Sequence, residues 1–285
     1  MQTISLIAVP YELGHLRDGV GRGPEALIAS GAAEALEASG ASVVTHTIEL
    51  SEPFSNEVQL CFELIRRVRA RVAAARADGA FPVILSGSCC FAALGVVAGL
   101  DESAPGVVWF DAHGDFNTPE TTTHGYFDGM GLAVLVGDAW QGMLGTVPGA
   151  RPVAQTAVVQ AGARDFDDDE EVRLRESGVT QVTPRELISG DALSDALGSL
   201  EPEPSGLYLH VDLDVLDREA ASVNTYGAPG GISPEQLSAR VEDVLRTGLV
   251  RAMALTAYDP ECDRDRRVPP VASRLLGAVA DRAPL

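Results

Sequence analysis

The sequence predicts an α/β fold of three layers, with helices covering both faces of a mostly parallel sheet. Short runs rich in Val, Ile and Leu alternate with longer amphipathic stretches, and Gly, Pro, Asp and Ser bound the apolar runs. Because most of these runs lack a strict polar and apolar alternation, we expect strands buried on both faces. In such a sheet, ligands bind beyond the carboxyl ends of the strands.

The predicted elements follow this alternation along the whole chain. The strands are the apolar runs Ile4–Val9, Val43–Ile48, Val83–Leu85, Val107–Asp111, Ala157–Ala161, Leu207–Asp212 and Met253–Tyr258. Helices are predicted between them, and several begin at a Pro or a Ser-Pro pair, as first helical turns prefer. They are Pro24–Ala38, Asn56–Ala77, Phe91–Leu100, Glu170–Ser177, Pro234–Thr247 and Pro269–Ala280. With no internal repeat and no low-complexity linker, we expect residues 1–285 to form a single domain.

The composition is that of a globular protein with an acidic surface. The 285 residues are 46% hydrophobic, and 21 basic against 41 acidic residues give a net charge of −20 at pH 7. That charge repels phosphate backbones and anionic membranes, so neither is an expected partner. All 21 basic residues are Arg, which excludes enzymes that use a Schiff-base lysine or a P-loop lysine.

The cysteines and the amino terminus favour a cytoplasmic protein. The four cysteines are spread over a chain too long to need disulfides, and no apolar run reaches the roughly 18 residues of a membrane span. The first residues lack the basic region and the small-residue cleavage site of a signal peptide.

Two predicted strands end in acidic and histidine side chains at alternate positions. These side chains are Asp111, His113 and Asp115 after the first strand, and His210, Asp212 and Asp214 in the second. Because side chains alternate across an extended strand, each set lies on one side of the chain. Two strand ends therefore present four carboxylates, from Asp111, Asp115, Asp212 and Asp214.

Four clustered carboxylates need compensating charge. Each close pair repels by about 4 kcal/mol at an effective dielectric constant of 20. Two divalent ions would neutralise the four charges, and carboxylates with imidazole are suitable ligands for manganese. The alternative is that each motif is a polar strand end whose acids lie in solvent or cap helices.

Six segments together resemble the arginase/agmatinase, or ureohydrolase, family. They are GVGRGPEAL (Gly19–Leu27), SGSCC (Ser86–Cys90), DAHGDFNTPETT (Asp111–Thr122), GARDFD (Gly162–Asp167), HVDLDVLD (His210–Asp217) and AYDPE (Ala257–Glu261). The resemblance extends over most of the chain and implies the three-layer αβα, arginase-like fold. It also implies a homo-oligomer, either a trimer or a hexamer.

The resemblance further implies two Mn²⁺ ions and a role for each motif residue. The first ion would be bound by Asp111, Asp115 and Asp212, and the second by Asp111, His113, Asp212 and Asp214. A hydroxide shared by the ions would attack the carbon of a guanidinium or amidinium group, since the ions lower the pKa of water toward about 7. Asp214 would move a proton to the leaving nitrogen.

Other matched positions concern the substrate. Asn117, Thr122 and Asp167 match residues that contact the amino-acid end of the substrate in arginases, which favours an arginine-like substrate over agmatine. The acid that grips the guanidinium in arginases aligns with Ala257 here. Either an acid at another position binds the guanidinium, with Glu261 as our candidate, or the substrate differs.

The sequence departs from the family at the first metal and at the proton shuttle. Cys89 stands where the family has a histidine ligand. Either a Cys89 thiolate binds the ion, or the site is weaker for manganese and Cys89 is a buried apolar residue. The family's shuttle histidine aligns with Asp128, and His124 precedes it by four residues. Either could transfer protons, and His124 has the more suitable ordinary pKa. His210 is either a hydrogen-bond donor to a ligand or a core histidine.

The sequence therefore predicts a metal-dependent ureohydrolase. Its expected substrate is a small guanidino or amidino compound, either arginine or a modified arginine such as N-hydroxyarginine, and its product is urea or a substituted urea. Formiminoglutamate and guanidino acids are alternative substrates. A different class is a metal-poor binding protein without hydrolytic activity, which Cys89, Asp128 and Ala257 would favour. A further alternative is a deacetylase-like enzyme that hydrolyses an amide at one zinc ion.

Overall fold

A computed structural model describes residues 2–282, apart from residues 52, 53 and 55. Its strands are β1 (Thr3–Val9), β2 (Tyr11–Glu12), β3 (His15–Leu16), β4 (Ser42–Thr47), β5 (Phe81–Ser86), β6 (Pro105–Phe110), β7 (Val158–Ala161), β8 (Thr180–Val182), β9 (Gly206–Asp212) and β10 (Val250–Thr256). Its helices are α1 (Gly23–Ala29), α2 (Ala32–Glu37), α3 (Glu57–Ala77), α4 (Cys89–Leu100), α5 (Gly131–Leu135), α6 (Gln141–Leu144), α7 (Asp168–Glu176), α8 (Pro184–Ser189), α9 (Asp191–Gly198), α10 (Pro234–Leu245) and α11 (Val268–Arg282). Within this part of the chain, no helix combines the length and the apolar composition needed to cross a bilayer.

Eight of these strands form one parallel sheet in the order β4-β1-β5-β10-β9-β6-β7-β8. Side chains of β5 alternate between two hydrophobic clusters, with Val83 and Leu85 in one and Ile84 in the other. Helices α1, α2, α10 and α11 pack in the first cluster, and α3, α4 and α5 pack in the second. The sheet is therefore covered on both faces, which confirms the predicted three-layer α/β fold.

The structure differs from the predicted elements mainly in short segments. The predicted helix Pro24–Ala38 is two helices, because Gly31 between them has a left-handed φ of +99° that interrupts the helical path. The edge strand β8 has three residues, and the β2–β3 hairpin has two in each strand. Such short elements carry too few residues for a periodic pattern.

The register of the sheet brings the ends of four central strands to one level. Thr256 at the end of β10 pairs with Asp212 of β9 on one side and with Ser86 of β5 on the other. Phe110, the last residue of β6, pairs with Val211 of β9. Asp111 and Asp212 therefore leave the sheet side by side, and α4 begins at Cys89, three residues after the end of β5.

Gly87 in the turn between β5 and α4 allows another chain segment to approach this edge. A Cβ at Gly87 would lie 2.1 Å from the carbonyl oxygen of Tyr11 and 2.8 Å from the Cα of Gly21. Both contacts are with backbone atoms, so relief requires the chain to move. Only glycine fits the turn that positions Cys89.

We predict that Gly87→Ala destabilises the fold by about 2 kcal/mol, because the new methyl group overpacks the backbone. Gly142→Ala is the matched control, since no atom lies within 4 Å of a Cβ at this helical position. It should be neutral or stabilising by up to about 1 kcal/mol. Urea unfolding measures both free energies, and equal stability of the two variants would contradict the assignment.

Candidate active site

A cavity of about 320 Å³ opens at the carboxyl edge of the sheet. Its walls include every site residue predicted from the sequence except Glu261: Cys89, Asp111, His113, Asp115, Asn117, Thr122, His124, Asp128, Asp167, Asp212 and Asp214. The structure thus brings together the residues that follow β6 and β9, the start of α4 and the loop that precedes α5.

The two acidic strand ends contact each other directly. The backbone N–H of Asp214 donates to Oδ1 of Asp212 at 2.8 Å, and the N–H of Ala112 donates to Oδ1 of Asp214 at 3.3 Å. The Nδ1 atom of His113 lies 3.3 Å from Oδ1 of Asp111 and 3.5 Å from Oδ2 of Asp214. Asp111 and Asp212 therefore face the same side of the sheet, as the sequence predicted.

Burial makes this arrangement electrostatically costly without added positive charge. Burial and the neighbouring Asp214 raise the pKa of Asp111, while burial and nearby carboxylates raise the pKa values of Asp115 and Asp212 well above their usual range. Burial alone would lower the pKa of His113, but the carboxylates of Asp214 and Asp111 raise it to about 10. Buried carboxylates that repel one another, with an imidazole beside them, suit divalent cations.

The donor atoms form two groups, in each of which all atoms lie within 4.8 Å of one another. One group is Asp111, His113 and Asp214, which is part of the predicted second metal site. The other group is Cys89, Asp111 and His210, all of them buried. Asp111 belongs to both groups.

Cys89 lies at the first residue of α4, inside the acidic cluster. Its Sγ donates to Oδ2 of Asp212 at 2.9 Å and lies 3.1 Å from Oγ1 of Thr256. Burial and the adjacent Asp212 raise the pKa of the Cys89 thiol well above its usual value. Without a cation the thiol stays protonated, whereas a bound metal ion would favour the thiolate.

Asp128 and His124 occupy different environments in the loop before α5. Both carboxylate oxygens of Asp128 accept backbone hydrogen bonds, Oδ2 from Cys89 at 3.2 Å and Oδ1 from Cys90 at 2.7 Å. Asp128 thereby holds the amino end of α4, although burial raises its pKa to about 6. His124 is exposed at the rim of the cavity.

A second wall of the cavity carries the predicted substrate-contacting residues. Nδ2 of Asn117 donates to Oδ2 of Asp167 at 3.1 Å, and Thr122 lies on the same wall. Glu170 fixes this wall: Oε1 accepts from the N–H of Phe116 at 2.8 Å, and Oε2 accepts from the N–H of Asp167 at 3.1 Å. Burial raises the pKa of Glu170 to about 7.

The structure does not bring Glu261 to the cavity. Its side chain is 71% exposed and accepts an ion-pair contact from Nη1 of Arg22 at 2.9 Å. The turn after Ala257 points Glu261 outward, while Ala257 itself lines the cavity. Ala257, which aligns with the acid that binds the guanidinium in arginases, therefore presents only a methyl group to the cavity.

Three rim residues were not predicted together from the sequence. The hydroxyl groups of Tyr226 and Tyr126 donate to Oε1 of Glu12 at 2.7 and 3.2 Å, and the two rings lie 5.8 Å apart. Glu12 belongs to β2 and the two tyrosines to separate loops, so no local spacing could indicate the contact. Tyr126 and Tyr226 line the cavity mouth.

The sequence and the fold are both similar to those of known proteins. Residues 2–280 match the sequence model of the Arginase family. An arginase from Bacillus subtilis is 30% identical over 288 residues, covering 96% of each chain. An N(omega)-hydroxy-L-arginine amidinohydrolase from Streptomyces lavendulae is 33% identical over 160 residues, or 56% of this chain and 54% of that one. A crystal structure of arginase from Bacillus subtilis aligns over 100% of both chains with a TM-score of 0.89 and 28% identity.

The raised pKa of Glu170 predicts a pH-dependent stability in protein stripped of metal. A carboxyl with a pKa near 7 when folded and about 4.5 when unfolded stabilises the fold below pH 4.5 and loses that contribution as the pH rises through 7. The loss is about 3 kcal/mol. Glu170→Gln should remove this part of the pH dependence, measured by urea unfolding in the presence of a chelator.

The neighbouring exposed Glu171 gives a matched control. Glu171→Gln removes a carboxylate from the same helical turn whose ion pair with Arg175 is exposed to solvent, so its effect should stay within about 1 kcal/mol at every pH. Identical pH profiles for Glu170→Gln and the unmodified protein would contradict the assignment.

Proposed function

Because the chain belongs to the arginase family, a family of hydrolases acting on C–N bonds in linear amidines, we propose that it hydrolyses the guanidino group of arginine or a modified arginine. N-hydroxyarginine is the favoured substrate, and hydroxyurea with ornithine would be its products. The observation that carries the proposal is the convergence of Asp111, Asp212, Asp214 and His113 in one cavity. The similarity to an N(omega)-hydroxy-L-arginine amidinohydrolase supports the choice of substrate.

The donor set fits two divalent ions, and we propose Mn²⁺ for the ion at Asp111, His113 and Asp214. Asp111, His113 and Asp214 would hold one ion, and Cys89 with Asp111 would take part in holding the other. Asp115 and Asp212 line the same cavity and complete the proposed ligand set. When bound, such ions neutralise the carboxylates and lower the pKa of water toward about 7.

Asp214 is the residue we propose for proton transfer at the reacting carbon. Its Oδ2 accepts from Nδ2 of Asn224 at 3.1 Å, and the same amide group donates to the carbonyl oxygen of Ala257 at 2.8 Å. Because the backbone N–H of Ala112 donates to Oδ1, both carboxylate oxygens of Asp214 accept hydrogen bonds. A fixed carboxylate can receive a proton from the attacking oxygen and deliver it to the leaving nitrogen.

We assign proton exchange with solvent to His124. It lies exposed at the rim, where an imidazole can exchange protons with water. Both oxygens of Asp128 are already occupied by backbone N–H groups of α4. We therefore propose that Asp128 positions Cys89 and that His124 carries the proton.

Asp167 and Asn117 are the proposed contacts for the amino-acid end of the substrate. They line the same cavity as the acidic cluster, and Asp167 is held by the hydrogen bond from Asn117. A carboxylate here would pair with the α-amino group, and the Asn117 amide and Thr122 hydroxyl can donate to the α-carboxylate.

A substrate screen with Mn²⁺ tests the proposed function. We expect N-hydroxyarginine to be hydrolysed with the highest kcat/KM among N-hydroxyarginine, arginine, agmatine, guanidinobutyrate and formiminoglutamate, measured as urea or its analogue. Metal analysis should find about two ions per chain, and activity should be lost with a chelator. Release of no product from any of these compounds would overturn the proposal in favour of a binding protein.

We predict that Asp167→Asn raises KM for N-hydroxyarginine by about 10-fold or more with little change in kcat, because a charged hydrogen bond contributes about 1.5–3 kcal/mol. Guanidinobutyrate lacks the α-amino group, so its KM should stay unchanged. Asp168→Asn is the control, since Asp168 is exposed at the first turn of α7. Equal changes of KM for both substrates would contradict the assignment.

A further inference from the structure

His210 on β9 lies next to the cysteine at the start of α4 and the aspartate after β6. Donor atoms of Cys89, Asp111 and His210 lie within 4.8 Å of one another, and all three residues are buried. The three come from different elements, so the tertiary fold, and not a local turn, brings them together. A sulfur, an oxygen and a nitrogen donor at this spacing can bind one metal ion together.

The His210 ring is oriented by its neighbours in the manner of a metal-bound histidine. Its Nδ1 lies 2.7 Å from the hydroxyl oxygen of Tyr208, and the ring stacks on Trp109 with centroids 3.9 Å apart. A hydrogen bond at one ring nitrogen fixes the ring and leaves the other nitrogen to bind. That other nitrogen, Nε2, lies 3.4 Å from Oγ1 of Thr256, a hydroxyl that also contacts Sγ of Cys89.

Trp109 connects this ring to the shared carboxylate. Its Nε1 donates to Oδ2 of Asp111 at 2.9 Å, while Oδ1 of Asp111 accepts from the backbone N–H of His113 at 2.8 Å. The two oxygens of Asp111 therefore face different partners, one toward the Trp109–His210 stack and one toward His113. The indole N–H therefore orients the Asp111 carboxylate beside the His210 ring.

We propose that His210 is a metal ligand and that Cys89, Asp111 and His210 form a site that selects a thiolate-preferring ion such as Zn²⁺ or Co²⁺ over Mn²⁺. Thiolate and imidazole ligands favour these ions, whereas Mn²⁺ favours oxygen ligands. On binding, the S–H proton of Cys89, now donated to Asp212, leaves to solvent and a sulfur–metal bond forms. The proposal deepens the proposed function at the same cavity, and its test needs no substrate.

Co²⁺ titration of metal-free protein tests the ligand set by absorption spectroscopy. We expect a thiolate-to-cobalt charge-transfer band in the near ultraviolet, together with visible bands of a low-coordinate ion, and neither should disappear in a large excess of Mn²⁺. Cys89→Ser should abolish the charge-transfer band. His210→Asn keeps a polar atom near Tyr208 but has none at the position of Nε2. It should weaken Co²⁺ binding at least 10–100-fold and shift the visible bands, because metal affinity falls by about 10–100-fold even when a residue that only hydrogen-bonds to a metal ligand is replaced.

Two further variants keep the test informative if His210→Asn folds poorly. His210→Gln places an amide near the position of Nε2, and we expect partial retention of Co²⁺ affinity with altered visible bands. His46→Gln is the matched control, because this histidine contacts Arg71 on another part of the chain. Its Co²⁺ affinity and spectrum should equal those of the unmodified protein.

The proposal is overturned if folded His210 variants bind Co²⁺ with unchanged affinity and visible bands, because His210 would then serve packing alone. It is also overturned if the unmodified protein shows no thiolate band or releases Co²⁺ to Mn²⁺. Hydrolysis of N-hydroxyarginine with Mn²⁺ is measured separately. An active enzyme without the thiolate band would refute this inference only, and an inactive protein with the band would refute only the proposed function.

Discussion

Repulsion among buried carboxylates is the constraint on which the rest of the site depends. The register of β6, β9 and β10 sets Asp111 and Asp212 side by side, and Asp214 follows within the same turn. At an effective dielectric constant of 20, each close pair costs about 4 kcal/mol. Without a bound ion, the carboxylates of Asp214 and Asp111 raise the pKa of His113. The sheet, the loops and the start of α4 hold the acids in place, and this donor set suits divalent cations.

Several backbone contacts hold this strained edge together. The guanidinium of Arg164 donates to carbonyl oxygens on both sides of the site, including those of Gly162, Asp214 and Ala228. Arg164 thus ties the segment after β7 to the turn after β9. The chain has no lysine, and the planar guanidinium of arginine suits donation to several carbonyl oxygens better than an ammonium group would.

The sequence was sufficient to predict the central sheet and the acidic cluster. Apolar runs that end in alternating Asp and His identify β6 and β9, because a strand fixes side-chain direction every second residue. Contacts between distant segments carry no such signal. The position of His210 beside Cys89 depends on the pairing of β9 with its neighbours, and the contact of Glu12 with Tyr226 joins segments more than 200 residues apart. The outward turn of Glu261 likewise depends on backbone geometry after Ala257 that residue types do not encode.

Asp128 connects its loop to α4 through the hydrogen bonds that its carboxylate accepts from two backbone N–H groups. The loop that carries Asp128 also carries Asn117, Thr122 and His124, while α4 carries Cys89 at its first residue. Substitutions that reshape the loop for a new substrate would shift α4 and alter cation affinity at the same time. Under the proposed function, we therefore expect substrate range and metal preference to change together among relatives.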